Sequence, residues 1–304
     1  MQEALYGPQG FYRRPEGPAA HFRTSVHASP LFAGAMYELA QRYGLRTVVD
    51  LGAGRGELLK GLSECDPGLR LIGVEVSDRP PGLPDAVEWT DAMPSGLVCL
   101  VIANEWLDNI PLDVVTVTDA GLRLVHVDLE SGQEVVGPPP DDRDLDWLAG
   151  WWPLDAAEVG DRAEVGRTRD DAWAAVLEAL AGGTAVAVDY GHVRDDRPAK
   201  GTLTGYRGGR QVRPVPDGLC DITAHVAMDS CAAAGAAAGA ATTTLTTQRP
   251  ALHALGVEAE RPPLDLARDA PADYVRALSR AGEAAELTDP GGLGGFRWLQ
   301  QEIR

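Results

Sequence analysis

The chain has 304 residues, 44% hydrophobic and 24% charged, enough for one large core or two smaller ones and unlike a disordered protein. Its 45 acidic against 27 basic residues leave a formal charge of −18, which argues against affinity from phosphate neutralisation and so against a nucleic-acid partner. A cationic substrate or partner surface is attracted instead, although the same charge also serves plain solubility. Cys65, Cys99, Cys220 and Cys231 show no zinc-ligand spacing, and Cys99 falls inside an apolar run that reads as core. No basic-then-apolar leader opens the chain, and no apolar run reaches the roughly 18 to 20 residues of a membrane span. The expectation is a reduced, cytoplasmic protein with no membrane anchor.

After a Gly/Pro-rich start, Ser29 and Pro30 supply an N-cap and a first helical residue for "SPLFAGAMYELAQRYG", whose apolar residues recur at helical spacing up to Gly44. "RTVVDLGAGRGELLKGL" then passes from a β-branched run through a glycine turn into a helix carrying Leu58, Leu59 and Leu62. "LRLIGVEVS", "AVEWTDAMP" and "GLVCLVIANE" read as three further strands. Strands alternating with helices predict a mostly parallel, Rossmann-like α/β sheet with helices on both faces.

The regularity breaks at Pro111. "LDVVTVTDAGLRLVHVDLESGQEVVG" alternates apolar and polar around an Asp119-Ala120-Gly121 turn, which predicts an inserted β-hairpin. "PPPDDRDLDWLAGWWP" extends the insertion into a helical cap, where Trp147, Trp151 and Trp152 form either a substrate wall or the seam between cap and core. "DDAWAAVLEALAGG" reads as a helix stopped by Gly182 and Gly183, followed by the strand "TAVAVDYG" and a polar loop through "GTLTGYRGGRQVRPVP". A small-residue helix runs into a Thr-rich strand, then come the helix "APADYVRALSRAG" and a terminal strand "GGFRWLQQEI". The expected organisation is an N-terminal segment (1–44), a first core half (45–111), the cap (112–170) and a second core half (171–304).

"VVDLGAGRGELL" is the strongest local signal, with Asp50, Gly52, Gly54 and Gly56 at the first strand-to-helix junction. Glycines there permit positive φ and close backbone approach by a ligand. The spacing is D-x-G-x-G-x-G rather than the G-x-G-x-x-G of dinucleotide sites, and it resembles the first motif of class I methyltransferases that use S-adenosylmethionine. Glu75, nineteen residues beyond Gly56 at the tip of the second strand, is placed to accept both ribose hydroxyl protons. Asp91, after the third strand, would face the adenine amino group.

With those residues placed, the chain resembles the MidA family, methyltransferases related to the mitochondrial complex I assembly enzyme that methylates an arginine. "GFY", "FRTSVHASPLF", "VVDLGAGRG", "ANEWLDNIP", "VDYG", "GTLTGYR", "DITAHV", "TTQRPALHALG" and "GGFRWLQ" carry the resemblance in order. Val26 and His27 depart from it, standing where the family commonly has proline and glutamate. His27 is then either a proton acceptor or substrate partner, or a helix-start residue with a structural hydrogen bond.

The resemblance implies S-adenosylmethionine as cofactor and a protein arginine as methyl acceptor. Arginine stays protonated in water, so its site needs carboxylates that fork onto the guanidinium. Glu105 and Asp108, three residues apart, meet that need if the chain turns helically after Asn104, which itself faces the cofactor. A small amine or hydroxyl metabolite, a cofactor-binding assembly factor without essential catalysis, and a nicotinamide oxidoreductase are the alternatives. The sequence leaves the oligomeric state open, a homodimer being compatible with it.

Overall fold

The computed structural model describes residues 1–13 and 24–304. Helix α1 (Gln2–Tyr6) and a 3-10 turn (Phe11–Arg13) precede α2 (Ser25–Ala28) and α3 (Pro30–Arg42). The third helix starts where Ser29 Oγ accepts the Leu31 N–H at 3.0 Å and Pro30 needs no partner for a missing N–H. Phe22 and Arg23 of the N-terminal motif lie outside the described residues. Then come β1 (Thr47–Leu51), α4 (Glu57–Cys65), β2 (Arg70–Val74), β3 (Glu88–Thr90) and β4 (Leu97–Asn104), which closes on a 3-10 turn, Leu107–Asn109.

The expected hairpin is part of a four-stranded antiparallel sheet. It contains β5 (Asp113–Thr118), β6 (Gly121–Val127), β7 (Glu134–Val136) and, after α5 (Asp142–Trp151), β8 (Arg162–Val165), in the order β7-β6-β5-β8. Trp147 and Trp152 are buried against Val115, Ala163 and Val165, and Trp147 Nε1 donates to Asp170 Oδ2 at 2.7 Å. These tryptophans form the seam between cap and core.

Helix α6 (Arg167–Glu178) leads into β9 (Leu180–Asp189). The two glycines read as a helix stop lie inside this strand. Gly183 has φ +111° and a Cβ there would sit 2.2 Å from the Cys99 carbonyl oxygen, so the glycine serves a close strand approach beside a register shift near Val98. Beyond β10 (Gly191–His192), the supposed polar loop is also structured. It holds β11 (Thr204–Arg207) and β12 (Arg210–Val212), which join β13 (Asp221–Thr223) in a small antiparallel sheet. These strands are too short and glycine-interrupted for alternation to reveal them.

The chain finishes with β14 (Val226–Ala227), α7 (Met228–Ala237), β15 (Thr242–Thr247), α8 (Gln248–Ala254), α9 (Leu264–Asp269), α10 (Pro271–Thr288) and β16 (Arg297–Ile303). The central sheet runs β15-β16-β9-β4-β1-β2-β3, parallel from β9 to β3 and antiparallel at β16, as the α/β pattern predicts. Along β4, Leu100 and Ile102 face the core under α3 and α4, while Cys99, Val101 and Ala103 face the core under α6 and α7. Trp298 and Trp173 are fully buried, one in each of these two layers, and each contributes roughly 4–6 kcal/mol of apolar burial. Among the described residues no helix is long and apolar enough to cross a membrane.

Candidate active site

Parallel pairing brings the carboxyl ends of β1, β2, β3, β4 and β9 to one edge of the sheet, where an open α/β fold binds ligands. A cavity of about 1030 Å³ opens there. This is at the top of the roughly 300–1,000 Å³ usual for ligand sites, with room for two reactants.

One half of the cavity is built by the glycine loop. Gly52, Gly54 and Gly56 have φ of +74°, +56° and +76°, a path that side chains with a Cβ rarely follow. A Cβ on Gly52 would strike Trp106 Cδ1 at 2.7 Å, whereas one on Gly54 would enter open space with only Glu57 Oε2 at 3.8 Å. Glu75, just past β2, folds back onto this loop. Its Oε2 accepts the Gly54 N–H at 2.9 Å and its Oε1 accepts the Val76 N–H at 2.8 Å. Burial raises the Glu75 carboxyl and these N–H groups pull it back. Asp50, buried at the end of β1, is pushed up to about 8 by burial and then by the charges of Glu57 and Glu75. Asp91 is exposed on the cavity rim, and Asn104 ends β4 with a buried Oδ1 that has no partner among the described residues.

The other half is built on the turn after β4. Glu105 has φ +51°, the one non-glycine residue with positive φ among those described. The backbone there is strained to aim this side chain, a pattern common at functional positions. Its Oε1 receives the Asn104 Nδ2 at 3.3 Å and the Ser25 N–H at 3.4 Å. Burial, and then the neighbouring Asp108, push Glu105 up to about 8. Asp108 lies in the 3-10 turn, where its Oδ2 accepts the hydroxyls of Thr223 at 2.7 Å and of Tyr190. Its Oδ1 is buried without a partner among the described residues, and its N–H donates to Asp189 Oδ2 at 3.1 Å. Burial raises both aspartates.

His27 lines the cavity at the glycine-loop end. Its Nδ1 lies 2.8 Å from Thr24 Oγ1 and its Nε2 lies 3.2 Å from Glu57 Oε1 at the start of α4. Both ring nitrogens are therefore engaged, in a contact bracing α2 against α4.

Sequence reasoning did not single out Tyr6, Tyr12, Asp189, Tyr190, Asp221 or Thr223. All but Asp189 line the acceptor half, and Asp189 stands behind Asp108. The stretches "GFY", "VDYG" and "DITAHV" hold five of the six, so the signal was present as motifs without an assigned chemistry.

The chain matches, over residues 67–246, the family described as "Putative S-adenosyl-L-methionine-dependent methyltransferase". The chain belongs to this methyltransferase family. It is an S-adenosylmethionine-dependent methyltransferase, and the matched region contains Glu75, Asp91, Asn104, Glu105 and Asp108. A Burkholderia thailandensis protein solved with S-adenosyl-homocysteine bound is 28% identical with a TM-score of 0.80, the match covering 100% of this chain and 86% of that one. A native structure of an uncharacterized Burkholderia thailandensis protein is 27% identical with a TM-score of 0.80, covering 99% and 85%. No curated protein matches the chain. The open cradle at Gly54, the Glu75 carboxylate beside it and the orphaned Asn104 Oδ1 fit this cofactor.

Proposed function

We propose that this methyltransferase transfers its methyl group to an arginine nitrogen of a protein substrate. The observation that carries the reading is the turn after β4, which sets the carboxylates of Glu105 and Asp108 in the cavity beside the cofactor half. Glu105, Asp108 and Asp221 line this cavity with the rings of Tyr6, Tyr12 and Tyr190, while Arg13 and Arg55 also line it. When bound, S-adenosylmethionine supplies a methyl group activated on a sulfonium.

Glu75 would receive the ribose hydroxyls, the Gly52–Gly56 backbone and Asp50 would surround the methionine part, Asp91 would take the adenine amino group and Asn104 would orient the sulfur side. Glu105 and Asp108 would fork onto the guanidinium and hold one nitrogen in line, the arrangement that supplies most of the rate in a displacement of this kind. As the new N–C bond forms and the S–C bond breaks, the acceptor nitrogen loses a proton. Glu105 takes that proton once the incoming cation has ionised it. His27, occupied by Thr24 and Glu57, would hold the N-terminal segment in place rather than exchange protons.

Incubation with methyl-labelled S-adenosylmethionine and paired arginine and lysine peptides tests this reading. Label on arginine is the expected result. Label confined to lysine, to a small amine, or to no acceptor from a whole-cell extract overturns it, the last in favour of a cofactor-binding assembly role.

A further inference from the structure

The N-terminal segment spans the two halves of the cavity. Ser77 Oγ, from the loop after Glu75, donates to the Tyr12 carbonyl oxygen at 2.9 Å. The Tyr12 ring stacks on Tyr6 at 5.3 Å, and the Tyr6 hydroxyl donates to the Asn109 carbonyl oxygen at 3.1 Å. At its far end the Tyr12 hydroxyl meets two oxygens, Asn109 Oδ1 at 2.5 Å and Asp221 Oδ1 at 2.8 Å. Two segments, 97 and 209 residues from Tyr12 along the chain, therefore converge on its phenol oxygen.

The protons at this junction can be counted. Asn109 Nδ2 donates to the Glu105 carbonyl at 3.1 Å, so its Oδ1 is the face turned to Tyr12. A phenol has one proton, and two acceptors cannot both receive it. The count closes when Tyr12 donates to Asn109 and a protonated Asp221 carboxyl group donates to the phenol oxygen. Asp221 is 3% exposed and lines the cavity, and besides the Tyr12 hydroxyl its carboxyl group is met by the Ile222 backbone N–H. A buried carboxyl group held in its protonated form loses that proton to solvent when a cation arrives, and Tyr12 then turns its own proton to the new carboxylate.

We propose that Asp221 is a third acceptor-binding carboxylate, beside Glu105 and Asp108, and that Tyr12 is the positioning residue that holds it. The proposal rests on the reading of the acceptor as a cation. It makes the N-terminal segment part of the specificity machinery, because Tyr12 and Asn109 add to the Thr223–Asp108 hydrogen bond in tying the small sheet that carries Asp221 to the turn after β4.

The test is calorimetric titration of N-acetyl-arginine methylamide into the full chain saturated with S-adenosyl-homocysteine, for the wild type, Asp221→Asn and Tyr12→Phe. Asp221→Asn is expected to weaken probe binding about tenfold to a hundredfold, the range for a lost hydrogen bond to a charged group. Tyr12→Phe is expected to weaken it about three- to tenfold. Both variants should keep the wild-type S-adenosyl-homocysteine affinity, which a general structural defect would lower along with probe binding. The neutral N-acetyl-citrulline methylamide should bind poorly to the wild type and equally poorly to Asp221→Asn, so the charge is removed from the ligand side without touching the fold. Wild-type probe affinity in Asp221→Asn overturns the Asp221 assignment alone. A wild type that binds neither the arginine probe nor its lysine counterpart overturns the cationic-acceptor reading, and the assignment with it.

Discussion

Glu75 Oε2 accepts the Gly54 N–H at 2.9 Å, so the carboxylate at the tip of β2 and the glycine loop after β1 are joined before any ligand arrives. The contact fixes both parts of the nucleoside site in one geometry, which lowers the ordering cost of binding. Glu75→Ala removes the ribose acceptor and frees the loop together. Each lost charge-assisted hydrogen bond is worth about 1.5–3 kcal/mol, so cofactor affinity should fall by at least a hundredfold in calorimetry. Retained affinity would detach Glu75 from the cofactor.

Gly52 is constrained by two independent terms, its φ of +74° and the Trp106 ring that would lie 2.7 Å from a Cβ. Gly52→Ala should therefore cost about 2–4 kcal/mol of stability, seen as a lowered midpoint in urea unfolding, and should weaken cofactor binding as Trp106 is displaced. An unchanged midpoint would show that the loop relaxes freely.

The raised carboxyl groups make a signed prediction about pH. Glu105 and Asp50 sit at about 8 and Asp221 at about 7 in the fold, above their usual carboxylate range, so the folded chain binds more protons than the unfolded chain between about pH 4.5 and 8. Stability of the ligand-free protein must fall as pH rises through that window. The melting temperature should drop by on the order of 5 °C between pH 5 and pH 8. Glu105→Gln, which cannot ionise, should match the wild type at pH 5 and exceed it at pH 8. A variant less stable than the wild type at pH 8 would contradict this placement of the Glu105 proton.

Cation binding should drive the same ionisation. At pH 7 a guanidinium probe entering the cavity must displace protons from Glu105 and Asp221, so its affinity should rise with pH between about 6 and 8. Calorimetry in two buffers of different ionisation enthalpy should report close to one or two protons released per probe bound. Proton uptake would have the wrong sign.

Much of the sheet was legible because each core strand is an apolar run with a polar or glycine-rich end, as in "VVDLGAG" and "CLVIANE". Those ends are also where the cavity lies, so the cofactor half could be read from local spacing. The acceptor half was read only in part. Asp221 and Tyr12 reach the same point from opposite ends of the chain, on a three-residue strand and a 3-10 turn that carry no periodic signal. Gly182 and Gly183 misled for a related reason, since a glycine required by a strand contact looks locally like a helix stop. Trp147 and Trp152 have the size of a substrate wall, and only the packing of α5 on the cap sheet shows that they face inward.

The most direct measurement pairs cofactor binding with methyl transfer in Glu105→Gln. Glu105 is held beside the cofactor half by a strained backbone, yet its hydrogen bonds run to Ser25 and Asn104 rather than to the glycine loop. S-adenosyl-homocysteine should bind the variant with wild-type affinity, while label transfer to an arginine peptide should fall about 10²- to 10⁴-fold, the range for loss of a positioned proton acceptor. Wild-type transfer by Glu105→Gln would contradict the assignment of the β4 turn as the site that receives the acceptor nitrogen.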